Sequence, residues 1–169
     1  MARSADPARP GTWVLLSYRI PREPSTPRIT IWRKLKRLGV AQLGDGLIAL
    51  PADARTREQI DWIAEEITEA DGTAIVWLAQ PASLAQERDL ATAMADARAE
   101  EYRKVTDQAN AARTLPDADR ERTIRRLRDE LRRIHRRDYF PPTERDHAHA
   151  AVESLATDVE AIVDREQQS

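Results

Sequence analysis

Apolar positions in the first 80 residues alternate between strand and helix periodicity. Residues 13–20 form a β-branched and aromatic run, which predicts a buried strand. Apolar residues then recur at helical spacing over residues 27–38, and Gly39 is expected to end that helix. Because Thr26 directly precedes a proline, it is the expected N-cap of this first helix.

The next segments predict a hairpin, a second helix and a fourth strand. Residues 40–44 and 46–50 are short apolar runs around a Gly-Asp-Gly tip, which is typical of a tight hairpin. Thr56 begins a Thr-Arg-Glu-Gln capping pattern, and residues 73–79 form another apolar run. This order predicts an α+β fold, a ferredoxin-like βαββαβ sandwich with four antiparallel strands under two helices. Its expected buried side chains are Trp13, Leu15, Trp32, Leu35, Ile63 and Val76.

Beyond the sandwich, the pattern predicts a C-terminal helical extension of about three helices. We expect a disordered lead-in over residues 1–11, the sandwich over 12–81 and the extension over 82–166. Ser83 is the expected cap of the first long helix. The apolar stripes of the three helices are Leu90, Met94, Ala97 and Val105, then Ile124, Leu127, Leu131 and Ile134, then Val152, Leu155, Val159 and Ile162. We expect the last two stripes to pack antiparallel on each other and to take part in a homodimer.

Composition excludes several classes of site. The chain contains no cysteine, so disulfides, thiolate metal sites and cysteine nucleophiles are excluded. It has no apolar run long enough to span a membrane, and residues 1–10 lack the apolar segment of a signal peptide. These features predict a cytoplasmic protein without membrane attachment.

Charge is distributed unevenly along the chain. Residues 1–57 carry 11 basic and 4 acidic side chains, whereas residues 58–112 carry 4 basic and 12 acidic ones. The basic excess in the first segment predicts a surface that binds nucleic-acid phosphates or a small oxyanion. The alternative is a solvated helix face that docks on the acidic middle of the chain. The candidate binding residues are Arg19, Arg22, Arg28, Arg33, Lys34, Lys36 and Arg37.

Other polar clusters have simpler interpretations. The arginines of residues 120–137 alternate with acidic residues, which favours local ion pairs over nucleic-acid binding. Glu101 lies on an apolar helix stripe, and we expect Arg132 or Arg133 to be its partner, with ligand contact as the alternative. His147 and His149 diverge on one helix, so a metal site would need His135 and a carboxylate such as Glu144 or Asp146. We therefore expect no metal and no cofactor.

Catalytic signatures are absent from the sequence. It contains no G-x-S-x-G, Walker or G-x-G-x-x-G motif. The first predicted strand ends Ser-Tyr-Arg-Ile over residues 17–20, without the carboxylate that a metal-dependent nuclease would need there. We expect a protein that is not an enzyme.

Five sequence blocks resemble the N-terminal domain of the ChrB chromate-resistance family. They are Trp-Val-Leu-Leu-Ser-Tyr from Trp13 with the Pro-Arg-Glu-Pro that starts at Pro21, Trp-Arg-Lys-Leu-Lys-Arg-Leu-Gly from Trp32, Gly-Asp-Gly-Leu-Ile-Ala-Leu-Pro from Gly44, Arg-Thr-Arg-Glu-Gln from Arg55, and Ala-Ile-Val-Trp from Ala74. The tryptophan-led basic helix and the hairpin are also similar to the middle domain of PaaX-type repressors.

This resemblance implies an association with chromate resistance through regulation of an efflux operon. The resemblance implies a further C-terminal domain in full-length members of the family, and we expect this chain to lack it. Our hypothesis is a non-catalytic regulatory or accessory protein that binds DNA, chromate oxyanion or a protein partner. The alternative is a structural dimerisation module that binds neither DNA nor chromate.

Overall fold

The computed structural model describes the backbone of residues 9–167 and the side chains of residues 9–158. The chain divides into two compact units, the first ending at Met94 and the second beginning at Ala95. Most of the predicted lead-in, residues 1–8, lies outside the described residues, as do the side chains of Val159 and Ile162. Within the described residues, no helix has the length and apolar character needed to cross a membrane.

The first unit contains a four-stranded antiparallel sheet, whose strands lie in the order β2 (Ala41–Gly44), β3 (Leu47–Pro51), β1 (Trp13–Arg19) and β4 (Thr73–Ala79). The central strand β1 pairs with two neighbours, so that Leu16 lies opposite Ile48 on one side and Val76 on the other. The predicted mixed α+β class with an antiparallel sheet is confirmed. In chain order, α1 (Thr26–Leu38) follows β1, α2 (Ala54–Glu69) follows β3, and the start of α3 (Leu84–Ala111) follows β4.

One face of the sheet carries the core of the first unit. Val14 and Leu16 are fully buried, whereas Leu15, which points to the opposite face, is partly exposed. Helix α2 packs on β1 and β4, and α1 packs against α2. Of the six side chains predicted to be mostly buried, three are buried and three remain partly exposed. The first group is Trp13, Leu35 and Ile63, and the second is Leu15, Trp32 and Val76.

The start of α1 differs from the prediction by one residue. Ser25 occupies the N-cap position, its side chain makes no capping hydrogen bond, and Thr26 is already helical. The prediction of Thr26 as the cap is therefore wrong. The predicted end is confirmed, because Gly39 adopts a left-handed conformation with φ 72° and its N–H donates to the carbonyl of Lys36.

Helix α2 begins with a capping box that lies three residues before the predicted one. The Asp53 carboxylate accepts from the Thr56 backbone N–H at 2.7 Å, and the Thr56 hydroxyl accepts from the Asp53 N–H at 2.9 Å. The prediction that Thr56 is the cap is wrong. Aspartate is as good an N-cap as threonine, and here Thr56 fills the third helical position of the box.

The hairpin between β2 and β3 turns at Asp45 and Gly46. Gly46 has φ 71°, and a Cβ atom there would lie 2.3 Å from the carbonyl oxygen of Tyr18. The Tyr18 N–H donates to the Gly46 carbonyl at 2.8 Å. A glycine is therefore required at this turn, both for the positive φ and for the close approach of β1.

The second unit consists of three helices around one apolar cluster. They are the remainder of α3, which ends in a short 3₁₀ turn (Ala112–Thr114), α4 (Asp117–Arg136) and α5 (Glu144–Gln167). Arg103 pairs with Glu144 and Arg113 pairs with Asp158, which shows that α3 runs parallel to α5. The cluster includes Tyr102, Val105, Ala109, Ala112, Ile124, Leu127, Leu131, Ile134, Ala148, Val152 and Leu155.

Two expectations about α3 are wrong. Of the predicted stripe, Met94 and Val105 are buried and Leu90 is partly buried, but Ala97 is exposed, and Ala99 and Tyr102 are buried instead. Glu101 does not pair with Arg132 or Arg133, which bind Asp129 and Glu130 on their own helix. Its partners are Arg98 on α3 and Arg137 at the end of α4.

Candidate polyanion-binding surface

Helix α1 presents a basic face to solvent. Ile31 and Leu35 are buried and orient the helix, so that residues about half a turn away must point outward. Arg33, Lys36 and Arg37 occupy these outward positions and are exposed. We call these three side chains the α1 basic face.

Lys34 lies on the side of α1 that faces α2. Its ammonium group contacts the Glu66 carboxylate at 2.5 Å, and both side chains are a little more than one-third exposed. The positive charge of Lys34 is therefore already partnered. We do not include it in the α1 basic face, although the sequence analysis grouped it with the others.

Lys36 is held by an aromatic side chain and has no acidic partner among the described residues. Its ammonium nitrogen lies 5.4 Å from the ring centre of Trp32, within the range of a cation–π contact. Trp32 therefore has a role that its predicted place in the core did not suggest. It orients a cation on the solvent side of α1.

Three further candidate arginines lie outside the α1 basic face. Arg19 ends β1, Arg22 lies in the loop after it, and Arg28 lies in the first turn of α1; all three are exposed. Burial raises the pKa of Tyr18, and the positive charge of Arg28 lowers it. Arg28 therefore acts electrostatically on the residue that precedes Arg19 in β1.

Docking of α1 on the acidic middle of the chain is limited to one contact. In the described part of the chain, the Lys34–Glu66 pair is the ion pair that joins α1 to an acidic residue. No ion pair of Arg33, Lys36 or Arg37 is found among the described residues. Three of the four basic side chains on the C-terminal half of α1 thus remain available to an external anion.

An apolar cleft in the first unit was missed by the sequence analysis. It has a volume of about 430 Å³ and lies on the sheet face that α1 and α2 leave open, between Leu15, Ala49 and Leu90. Glu87 on α3 accepts hydrogen bonds from the Trp13 indole and the Gly11 backbone at its rim. The sequence did contain a signal for this cleft. Side chains alternate along β1, so Leu15 points to the other face of the sheet from Val14 and Leu16, and an apolar side chain on that face needs a further element to cover it.

The three histidines do not form a metal centre in the described structure. No group of three or more His, Cys, Asp or Glu side chains close enough to hold a metal ion occurs among the described residues. His135 and His149 nevertheless line one cleft of the second unit, whereas His147 does not.

Comparison with known proteins gives one consistent result. The family described as "Protein ChrB, N-terminal" matches residues 28–168. Protein ChrB of Cupriavidus metallidurans is 30% identical over 168 residues, which cover 95% of this chain and 49% of that protein. The chain therefore spans about half the length of this relative. The chain belongs to the ChrB N-terminal family.

Proposed function

We propose that this chain is a non-catalytic regulatory or accessory module of chromate resistance that binds nucleic-acid phosphates through the α1 basic face. Family membership supports the link to chromate resistance. The sheet order β2-β3-β1-β4, with α1 and α2 as crossovers, supports a ferredoxin-like fold for the first unit. We also propose that the module acts in the cytoplasm, since it has no cysteine and a polyanion is its ligand.

The observation that carries the proposal is that the α1 basic face has no acidic partner among the described residues; Lys36 contacts Trp32, and Arg37 donates to the Arg33 carbonyl of its own helix. Three cations lie on one side of a helix whose position is set by Ile31 and Leu35. A cation that is already paired with a carboxylate gains little from a phosphate, whereas an exposed cation without an acidic partner displaces condensed counterions from DNA when it binds a phosphate. Duplex DNA is accordingly the polyanion that we test.

The salt dependence of DNA binding provides the test. Each phosphate contact contributes a slope of about −0.9 to the plot of log affinity against log salt concentration. Replacement of Arg33, Lys36 and Arg37 together by glutamine should reduce the slope by about two to three and leave thermal stability nearly unchanged. Gel-shift titrations at several salt concentrations, with a thermal melt of each variant, measure both quantities.

A matched triple variant controls for the change in net charge. Arg122, Arg125 and Arg133 are exposed arginines of α4, so their replacement by glutamine removes three charges from another surface. This control should keep the slope of the unmodified chain. An absence of any shift at low salt with the native promoter fragment would contradict the proposal, as would equal slopes for the two triple variants.

A second candidate function, a dimerisation module, is favoured by the exposed apolar residues of β4. This strand lies at the edge of the sheet, and Ile75, Trp77 and Leu78 are each more than half exposed. Edge strands can pair with the same strand of a second copy around a two-fold axis. Pairing of β4 with its symmetry mate would satisfy the backbone groups at this edge and reduce the exposure of these side chains through lateral contacts.

Sedimentation analysis tests this candidate with two matched tryptophans. Replacement of Trp77 by serine should shift a dimer toward monomer. Trp62 on α2 is also exposed, so its replacement by serine serves as the control and should leave assembly unchanged. A strict monomer at high concentration, or equal effects of both substitutions, would contradict dimerisation through β4.

A further inference from the structure

A second cationic site lies in the helical unit, between α4 and α5. The cleft has a volume of about 460 Å³. Arg132, His135 and Arg136 line it from α4, and Arg145 and His149 line it from α5. We call it the α4–α5 cleft. None of these five residues belongs to the α1 basic face.

Helical periodicity accounts for the arrangement. On α4 the lining residues recur at spacings of three and four from Arg128 to Arg136, and on α5 at a spacing of four from Arg145 to Glu153. Each helix therefore contributes a continuous polar row beside its buried stripe. The buried Leu131 also lines the cleft and supplies an apolar patch at its base.

Four arginines and one acidic side chain, Glu153, line the cleft. Arg128 binds the Glu153 carboxylate through two guanidinium nitrogens at 3.0–3.2 Å, and Arg132 pairs with Asp129 on α4. Arg145 is half-buried, and no ion pair of its guanidinium group is found among the described residues. Guanidinium groups bind the oxygens of a tetrahedral anion in a forked geometry, and each imidazole can donate a ring N–H.

The size of the cleft argues for more than a bare ion. Ligand sites for small organic molecules commonly have volumes of about 300–1,000 Å³, and this cleft lies within that range. The planar guanidinium and imidazole groups and the Leu131 side chain offer surfaces on which a flat organic group can stack. We infer that the α4–α5 cleft binds a small organic phosphate, with the phosphate on Arg145 and His149 and the organic part toward α4.

Calorimetric titration of the full chain with adenosine 5′-monophosphate, in a low-salt buffer free of phosphate, tests the inference. Adenosine 5′-monophosphate should bind more tightly than inorganic phosphate, because the phosphate alone does not fill the cleft. Replacement of Arg145 and His149 by glutamine should weaken nucleotide binding at least about tenfold, the effect expected for loss of charge-assisted hydrogen bonds.

Two further variants make the result interpretable. Arg132 and His135 are exposed, so their joint replacement by glutamine should preserve folding and also weaken nucleotide binding. In the matched control, glutamine replaces Arg122 and His147, an exposed arginine and an exposed histidine outside the cleft. This control should leave the affinity for adenosine 5′-monophosphate unchanged. Undetectable nucleotide binding, equal affinities for nucleotide and phosphate, or an equal loss in the control would each overturn the inference. The α1 triple variant should keep nucleotide affinity, so this test is independent of the proposed DNA binding.

Discussion

Tyr102 shows how one side chain can connect the core of the helical unit to a charged group. The side chain is fully buried, and its hydroxyl donates to Asp138 at 2.9 Å. The other carboxylate oxygen of Asp138 is buried and has no hydrogen-bond partner in the described structure. Burial, followed by the hydrogen bond and the negative charge of Asp138, raises the pKa of Tyr102 well above its usual range.

Replacement of Tyr102 by phenylalanine should lower the free energy of unfolding by about 1–3 kcal/mol, because Asp138 loses its donor. The sign of the pH effect follows from the raised pKa. The contribution of the neutral hydroxyl is complete below about pH 10 and decreases as the pH rises further. Urea denaturation at about pH 8 and about pH 11 should therefore show a smaller alkaline loss in the variant. Parallel losses in both proteins would contradict this account.

Glu101 was correctly expected to form an interhelical ion pair, but its partner could not be read from the sequence. Arg132 and Arg133 lie on α4 and Arg137 follows directly after it, and helix periodicity alone does not distinguish the three. Arg132 and Arg133 have acidic neighbours three residues earlier on α4. Arg137 has none there, so it reaches Glu101, which also accepts from Arg98 at 2.9 Å.

Replacement of Glu101 by glutamine should lower the free energy of unfolding by about 1–3 kcal/mol, between the values for exposed and buried ion pairs. The reason is that Arg98 and Arg137 are mostly buried and would lose their shared carboxylate. Burial lowers the pKa of Arg98, and Glu101 opposes that effect. Glu130→Gln, which breaks a more exposed pair with Arg133, is the control and should change stability by less than about 1 kcal/mol. Equal effects in urea denaturation would contradict the difference in burial.

At the scale of elements, periodicity predicted where helices and strands lie better than where they begin. All four strands of the first unit lie within two residues of their predicted bounds. The start of α2 was placed too late, because Asp53 and Thr56 are both competent caps and the apolar repeat begins only at Ile60. A choice between two such residues depends on the path of the preceding chain, which local pattern does not describe.

The capping box of α2 provides a test at this scale. Replacement of Asp53 by alanine should lower the free energy of unfolding by about 1 kcal/mol, because the N–H of Thr56 loses its acceptor. Glu58 is exposed on the same helix, and its replacement by alanine should change stability by less than about 0.5 kcal/mol. Thermal melts of both variants measure the difference, and an unchanged Asp53→Ala melt would show that the box contributes nothing.

At the scale of the whole molecule, the two basic regions have different environments. Four of the eight arginines of α4 pair with acidic residues three positions earlier, in line with the predicted local ion pairs, whereas the α1 basic face has no acidic partner among the described residues. Periodicity could identify both regions, but it could not show which cations of α1 have an acidic partner. Lys34 pairs with Glu66, which is 32 residues away in sequence and therefore outside any local pattern. The α4–α5 cleft was missed because its two rows come from different helices, and each row alone resembles an ordinary solvated face.

The apolar stripes of α4 and α5 were expected to take part in a homodimer, but in the described residues they are already covered within one chain. Ile124, Leu127 and Leu131 are at most 6% exposed, and Val152 and Leu155 are fully buried. Replacement of Leu127 by alanine should lower the free energy of unfolding by about 2–5 kcal/mol, the range for a cavity in a packed core. If the stripe packs only within its own chain, the loss should be the same when the protein concentration is raised about a hundredfold, because a monomeric core is independent of mass action. Urea denaturation at two concentrations measures this. If the loss in free energy of unfolding is smaller at high protein concentration, Leu127 lies at a subunit interface and the expected homodimer through α4 and α5 is supported.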